Sequence, residues 1–269
     1  MATSRDLGQQ LHNASEYGRV DEVERLLARG APVDWRDSVG WTALHRACNH
    51  NRPHVVKILT QQDGIDINVQ TNAKNTPLYF ACRRGYLKCV QLLMATGQCD
   101  LGAVTGGGLT PLGVAVREGE LDTIKYLIRE CNVDINRAVT SGGLTPLGLA
   151  VRWGKLDTIK YLITEWNVNI NGAVTRNGLT PLRLAVREGD LDTIKYLITE
   201  CNVDINRAVT SDGLTPLGLA VREEHLDAIK YLITECNVDI NEYGMLLRQK
   251  SLVRSGHLHH HLPLCSLYT

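Results

Sequence analysis

A tripeptide that returns at a fixed interval constrains this chain more than any other feature. Thr110-Pro111-Leu112 recurs as Thr145-Pro146-Leu147, Thr180-Pro181-Leu182 and Thr215-Pro216-Leu217, each step being 35 residues. Upstream, Thr76-Pro77-Leu78 and Thr42-Ala43-Leu44 continue the series at steps of 34, and Leu11-His12-Asn13-Ala14 aligns with Leu44-His45-Arg46-Ala47 at a step of 33. Seven units result, at about 7–37, 38–71, 72–105, 106–140, 141–175, 176–210 and 211–241, followed by a divergent tail, 242–269. Repetition at this period builds a solenoid in which each unit contacts mainly its neighbours. Composition agrees: with one Phe and 5% aromatics, the core must consist of thin layers of Leu, Ile, Val and Ala.

Each unit spells out two short helices. In the fifth, the Thr145 hydroxyl suits an N-cap, and Pro146 occupies the first helical position, where its missing N–H costs nothing. Leu147, Ala150 and Val151 form one apolar stripe at i, i+3, i+4. The column Gly18, Asn51, Gly85, Gly119, Gly154, Gly189 predicts a left-handed residue closing each first helix. Glu224 breaks that column, at a strain of roughly 1–2 kcal/mol if the turn is kept. Leu156, Ile159, Leu162 and Ile163 supply the inward face of the second helix.

Gly40-Trp41-Thr42-Ala43-Leu44-His45-Arg46-Ala47 resembles the ankyrin-repeat signature, and Asn75-Thr76-Pro77-Leu78 and its successors agree with it. The resemblance covers roughly nine-tenths of the chain. It implies an all-α repeat fold, a solenoid of paired antiparallel helices joined by β-turn loops. The signature His is present as His12 and His45 but becomes Tyr79, Gly113, Gly148, Arg183 and Gly218. In the family that His fastens the turn, so the later units are expected to depend on Thr caps and apolar stacking. Units four to seven are also one residue longer than those before them. The resemblance further implies Asn68, Asn136, Asn206 and Asn241 as hydroxylation positions, although the extra residue disturbs the spacing upstream of them.

The two ends differ. The first unit carries Glu16, Arg19, Glu22, Glu24, Arg25 and Arg29, a polar exterior fit for a cap. The seventh copies an internal unit through Ala220, Val221, Leu226, Ile229, Leu232 and Ile233, and is expected to leave an apolar end open. Beyond Asn241 the register is lost, and Met245, Leu246, Leu247, Leu252 and Val253 are expected to form a partial helical cap.

Several function classes are excluded by what the chain lacks. Lys+Arg and Asp+Glu both number 29, so there is no electrostatic footprint for nucleic acid or an anionic membrane. No apolar run approaches the ~18 residues of a membrane span. The opening Met1-Ala2-Thr3-Ser4-Arg5-Asp6 has no apolar h-region, so no secretory signal is expected. Cys131, Cys201 and Cys236 share a column with Trp166, which marks them as space-filling rather than paired, in a reducing cytoplasmic or nuclear compartment. The sequon at Asn13 is then unused. Gly106-Gly107-Gly108 lacks the Lys and Ser/Thr of a phosphate-binding loop. Carboxylates copied at equivalent surface positions lack the special environment of a catalyst. His257, His259, His260, His261 and Cys265 have density without metal-ligand spacing and read as a polar tail. Cys82 and Cys89 read as packing residues. No enzyme, cofactor or metal site is expected.

Binding remains. Turn tips and first helices of an ankyrin-like unit line a groove. The column before each Thr (Trp41, Asn75, Leu109, Leu144, Leu179, Leu214) is expected to be partly exposed there. The turn tips Gly106-Gly107, Ser141-Gly142, Arg176-Asn177 and Ser211-Asp212 are the varied sites. First-helix ends supply Arg83-Arg84, Arg117-Glu118, Arg152-Trp153, Arg187-Glu188 and Arg222-Glu223. An Arg row beside an apolar row, with Trp153 near its centre, suits a protein partner with acidic and apolar side chains. The expected function is a non-catalytic, monomeric interaction scaffold. Its alternatives are a module of a larger signalling, ubiquitin-ligase or channel protein, and a self-associating structural protein joined end to end.

Overall fold

A computed structural model describes residues 3–203, 205, 214–236 and 238. The chain divides into two compact units, one up to Leu184 and one from Ala185 onward. In the first, helices alternate as first and second members of pairs: α1 (Ser4–Tyr17) with α2 (Val20–Ala28), α3 (Ala43–Asn49) with α4 (Pro53–Leu59), and α5 (Pro77–Arg83) with α6 (Leu87–Met94). α7 (Pro111–Glu118) with α8 (Leu121–Arg129), and α9 (Pro146–Arg152) with α10 (Leu156–Trp166), continue the series. α11 (Pro181–Glu188) crosses the division, and the second unit holds α12 (Leu191–Thr199), α13 (Pro216–Arg222) and α14 (Leu226–Thr234).

First helices stack on first helices (α1, α3, α5, α7, α9), and second on second (α2, α4, α6, α8), as an ankyrin solenoid requires. Leu44, Leu112, Leu147, Ile124 and Ile159 are fully buried between these layers.

Local chemistry explains the ends of the helices. Thr76, Thr110 and Thr145 accept the N–H of the residue three on, at 3.1 to 3.2 Å, and a proline follows each cap. The left-handed column holds: φ is 72° at Gly18, 53° at Asn51, 65° at Gly85, 86° at Gly119 and 58° at Gly154. The following N–H then closes back onto an alanine carbonyl, as in Arg52 to Ala47, Glu120 to Ala115 and Lys155 to Ala150, all at 2.9 Å.

In the second unit Glu224 keeps the same turn at φ 64°, in a conformation that suits glycine. Glu224→Gly is therefore expected to stabilise the protein by about 1 kcal/mol, read as a higher urea midpoint with unchanged slope. An unchanged or lower midpoint would show that the strain is relieved elsewhere. Of the residues expected to lie open here, Leu226 is 69% exposed and Ile229 and Ile233 are half-buried. Ala220, Val221 and Leu232 are buried, so the apolar end is narrower than the sequence suggests. The predicted cap at Met245–Val253 lies outside the described residues, as do Ser211-Asp212, Asn206, Asn241, the tail histidines and Cys265.

The lost histidine has a direct structural replacement. In the 34-residue repeat, His45 is fully buried, and its Nδ1 accepts the Thr42 N–H at 3.1 Å. Its Nε2 then carries the proton and donates to the Asn75 carbonyl at 3.1 Å. In the longer repeats the loop carbonyl itself takes that N–H: Thr110 donates to Val139, and Thr145 to Val174, each at 3.0 Å. A Cβ at Gly113 or Gly148 would lie 2.5 Å from that carbonyl oxygen. In units four and five the extra loop residue and the glycine thus go together, with main chain filling the space of the imidazole, whereas unit six carries Arg183 at this position. In units four and five this bond adds to the Thr caps and apolar stacking on which the later units are expected to depend.

The described cysteines are all free. Cys48, Cys82 and Cys89 are fully buried, and burial pushes the Cys89 thiol up to about 11, which leaves it unreactive. In the column of Cys131 the side chain meets a tyrosine: Trp166 Nε1 donates to the Tyr161 hydroxyl at 3.0 Å.

Candidate partner-binding face

The turn tips are built by short polar ties. Thr71, Thr105, Thr140 and Thr175 each accept, through Oγ1, the N–H four residues on, at 2.9 to 3.2 Å. Asp37 does the same for Val39 and Trp41 at 3.0 and 2.8 Å. Adjacent tips are then stitched together by main chain: Asn72 N–H to Val39, Gly106 to Ala73, and Ser141 to Gly108, at 3.1, 3.0 and 2.7 Å. An antiparallel bridge joins Leu109 and Thr140. The tips therefore present a fixed edge beside the first helices.

The apolar row fails on this edge. Leu109, Leu144 and Leu179 are each only 7% exposed. Each sits in a turn closed at both backbone groups: the Leu144 N–H meets Thr140 Oγ1, and its carbonyl accepts from Val139 at 2.8 Å. These leucines fill core and are not available as contacts. Trp41 is half-buried, with its ring 4.3 Å from that of Phe80. Leu214, in the second unit, is half-buried.

The arginines fare differently. Arg83 and Arg84 are exposed at the end of α5, and Arg83 Nε lies 4.0 Å from Glu118 Oε1. Arg117 is held by its own neighbour, with Nη2 2.6 Å and Nε 3.0 Å from Glu118 Oε1. Burial opposes the Arg117 charge, but the Glu118 carboxylate outweighs it and raises its pKa. Burial together with the Glu118 charge pushes the nearby Glu120 carboxyl up. Arg152 is exposed and, among the described residues, forms no ion pair; Trp153, which caps α9, is 53% exposed. Arg176 is exposed at its tip and donates to the Ser141 carbonyl at 3.2 Å. In the second unit, Arg187 pairs with Glu188 at 2.8 Å and Arg222 with Glu223 at 3.0 Å.

One cluster was not foreseen. Arg46 on α3 meets Asp37 Oδ2 at 3.1 Å, Glu16 Oε2 at 3.4 Å and the His12 Nε2 acceptor at 3.0 Å, with its guanidinium 4.6 Å above the Trp41 ring. Burial lowers the His12 pKa, which keeps it a neutral acceptor. The signal lies in the column, which from unit three on reads Phe80, Val114, Leu149, Leu184 and Leu219, so a cation there needs partners. Asn68 is half-buried, with its amide tied to the Gln98 carbonyl at 2.8 Å and the Asp100 N–H at 2.9 Å. Among the described residues, no three His, Cys, Asp or Glu are placed to hold a metal, and no helix is long and apolar enough to cross a membrane.

A family model described as ankyrin repeats matches residues 11–105, 63–139, 97–172 and 165–244. The chain belongs to the ankyrin-repeat family. It is 35% identical over 71 residues to mouse ankyrin repeat domain-containing protein 40, covering 26% of this chain and 19% of that protein. It is 34% identical over 76 residues to human neurogenic locus notch homolog protein 2, covering 28% of this chain and 3% of the relative. The Drosophila neurogenic locus Notch protein matches at 34% over 68 residues, 25% of this chain and 2% of its own length. The chain thus spans a small fraction of each. Ankyrin repeats are in general protein-interaction modules, and this family member has the stacked helical pairs that such modules share.

Proposed function

We propose that this ankyrin-repeat protein is a non-catalytic scaffold that binds a protein partner on the face made by its turn tips and first-helix ends. The observation that carries this is the exposure of Arg83, Arg84, Arg152 and Trp153 on main chain held by Thr caps and tip-to-tip hydrogen bonds. Arg and Trp are the types enriched where binding energy concentrates. A face already ordered before contact spends little conformational entropy on binding. The partner presents acidic and apolar side chains, and Leu109, Leu144 and Leu179 support the face from beneath. The test is hydrogen exchange on the full chain with a captured partner. Exchange slows at the ends of α5, α7 and α9 if the reading is right, and elsewhere only if it is wrong.

A second reading, a module within a larger protein, draws support from the relatives, of which the match spans 19% or less. Full-length transcripts with further in-frame 35-residue repeats or another domain would establish it.

A further inference from the structure

Units four, five and six are near copies, so a surface position that departs in one alone carries information that duplication cannot explain. Unit four ends its first helix with Arg117-Glu118 and enters the second through Glu120; unit six does so with Arg187-Glu188 and Asp190. Unit five reads Arg152-Trp153 and Lys155. Its core keeps Leu147, Ala150, Ile159 and Leu162 buried like their counterparts. Two carboxylates have been exchanged for an indole and an ammonium, side by side, at positions that do not serve the core.

The exchange has a specific electrostatic consequence. In the other three long repeats the helix-end arginine is satisfied by the next residue: Arg117 by Glu118 at 2.6 Å, Arg187 by Glu188 at 2.8 Å, and Arg222 by Glu223 at 3.0 Å. Trp153 takes that carboxylate away, and Arg152 forms no ion pair among the described residues. Lys155 lies across Gly119, and its charge acts on Glu120. An exposed guanidinium and a 53% exposed indole therefore follow one another at the end of α9, with an ammonium two residues on.

Resting on the scaffold reading above, we infer that unit five sets the specificity of the face, and that its occupant is an acidic protein segment bearing an apolar side chain. A carboxylate of the partner takes the place on Arg152 that Glu118 holds on Arg117. A second carboxylate meets Lys155, and the apolar side chain lies on Trp153. Such charge-assisted pairs are the stronger kind of hydrogen bond, and the arrangement gives selectivity because a neutral or basic segment leaves Arg152 unmatched.

The test pans a random dodecapeptide display library on the full chain, then titrates synthetic copies of the selected peptides by intrinsic tryptophan emission and by anisotropy. Trp153→Glu and Lys155→Glu install the residues that unit four already carries, so the fold is kept, as circular dichroism will verify. The selected peptides should be enriched in Asp or Glu next to an apolar residue, and should shift the tryptophan emission to the blue. Each substitution should weaken binding at least tenfold, and added salt should weaken it further. Peptides without acidic enrichment, or equal affinity for the doubly substituted protein, would overturn the proposal. If a substituted protein is perturbed, Trp153→Ala serves instead, and retained affinity there is equally fatal. Peptides lost on Arg83→Ala with Arg84→Ala but indifferent to unit five would keep the scaffold and refute the assignment. A library yielding nothing above an unrelated protein would count against both.

Discussion

Gly148→His, which restores the ankyrin signature residue in unit five, is expected to destabilise the protein by about 3 kcal/mol. Intrinsic propensity argues the other way, because glycine is the poorer helix former by roughly half a kcal/mol or more. Packing decides. A Cβ at this position would lie 2.5 Å from the Val174 carbonyl oxygen, in space that is already full. Any side chain must push that carbonyl aside, and the Thr145 N–H then loses its acceptor at 3.0 Å. Overpacking against main chain is the cost that the single change cannot avoid. Deleting Gly172 in the same protein should recover most of the loss, because it shortens the run from Asn171 to Thr175 to the length found between Asn68 and Thr71. Urea unfolding of the single and combined changes reads this directly. A neutral single change, or no recovery on shortening the loop, would refute the exchange of imidazole for main chain.

Acidification is expected to cost a similar amount through His45. Its imidazole is fully buried between Thr42 and Asn75, and burial lowers its pKa to about 4. The unfolded chain binds the proton near the ordinary value of 6.5, while the folded protein refuses it until about pH 4. The stabilisation is therefore complete above 6.5 and lost as pH falls toward 4, and a shift of this size corresponds to about 3 kcal/mol. Burial lowers the His12 pKa as well, so its contribution falls in the same direction. Unfolding measured at pH 7.5 and 4.5 should show the loss, and His45→Gln should remove most of the dependence at some cost in stability at neutral pH. A flat profile between these pH values would contradict the assigned burial and tautomer.

What could be read from the residues alone was whatever acts within one unit. The Thr caps, the prolines at N1 and the left-handed column span three to five residues, so spacing suffices to place them. Glu224 illustrates this, since its strained turn is visible as a gap in a column of Gly and Asn. Features formed between units were harder. The burial of Leu109 and Leu144 follows from turns closed at both ends and stitched to the next tip, which no local pattern displays. The bond from Thr145 to Val174 stays within unit five but joins its two ends, so it is as hidden from local spacing as a contact between units. The glycine at 148 looks like a lost histidine until the added loop residue is placed beside it. Arg46 was legible in principle, as a cation in an apolar column, but its three partners come from α1 and the preceding turn.

The central claim, a preformed face of first-helix ends and turn tips, is reached most directly by comparing amide exchange in the full chain with and without a bound partner. Slowing concentrated around 79–84, 113–118 and 148–155, with little change in α4, α6, α8 and α10, is the predicted result. Slowing confined to those second helices, with the first-helix ends unaffected, would contradict it.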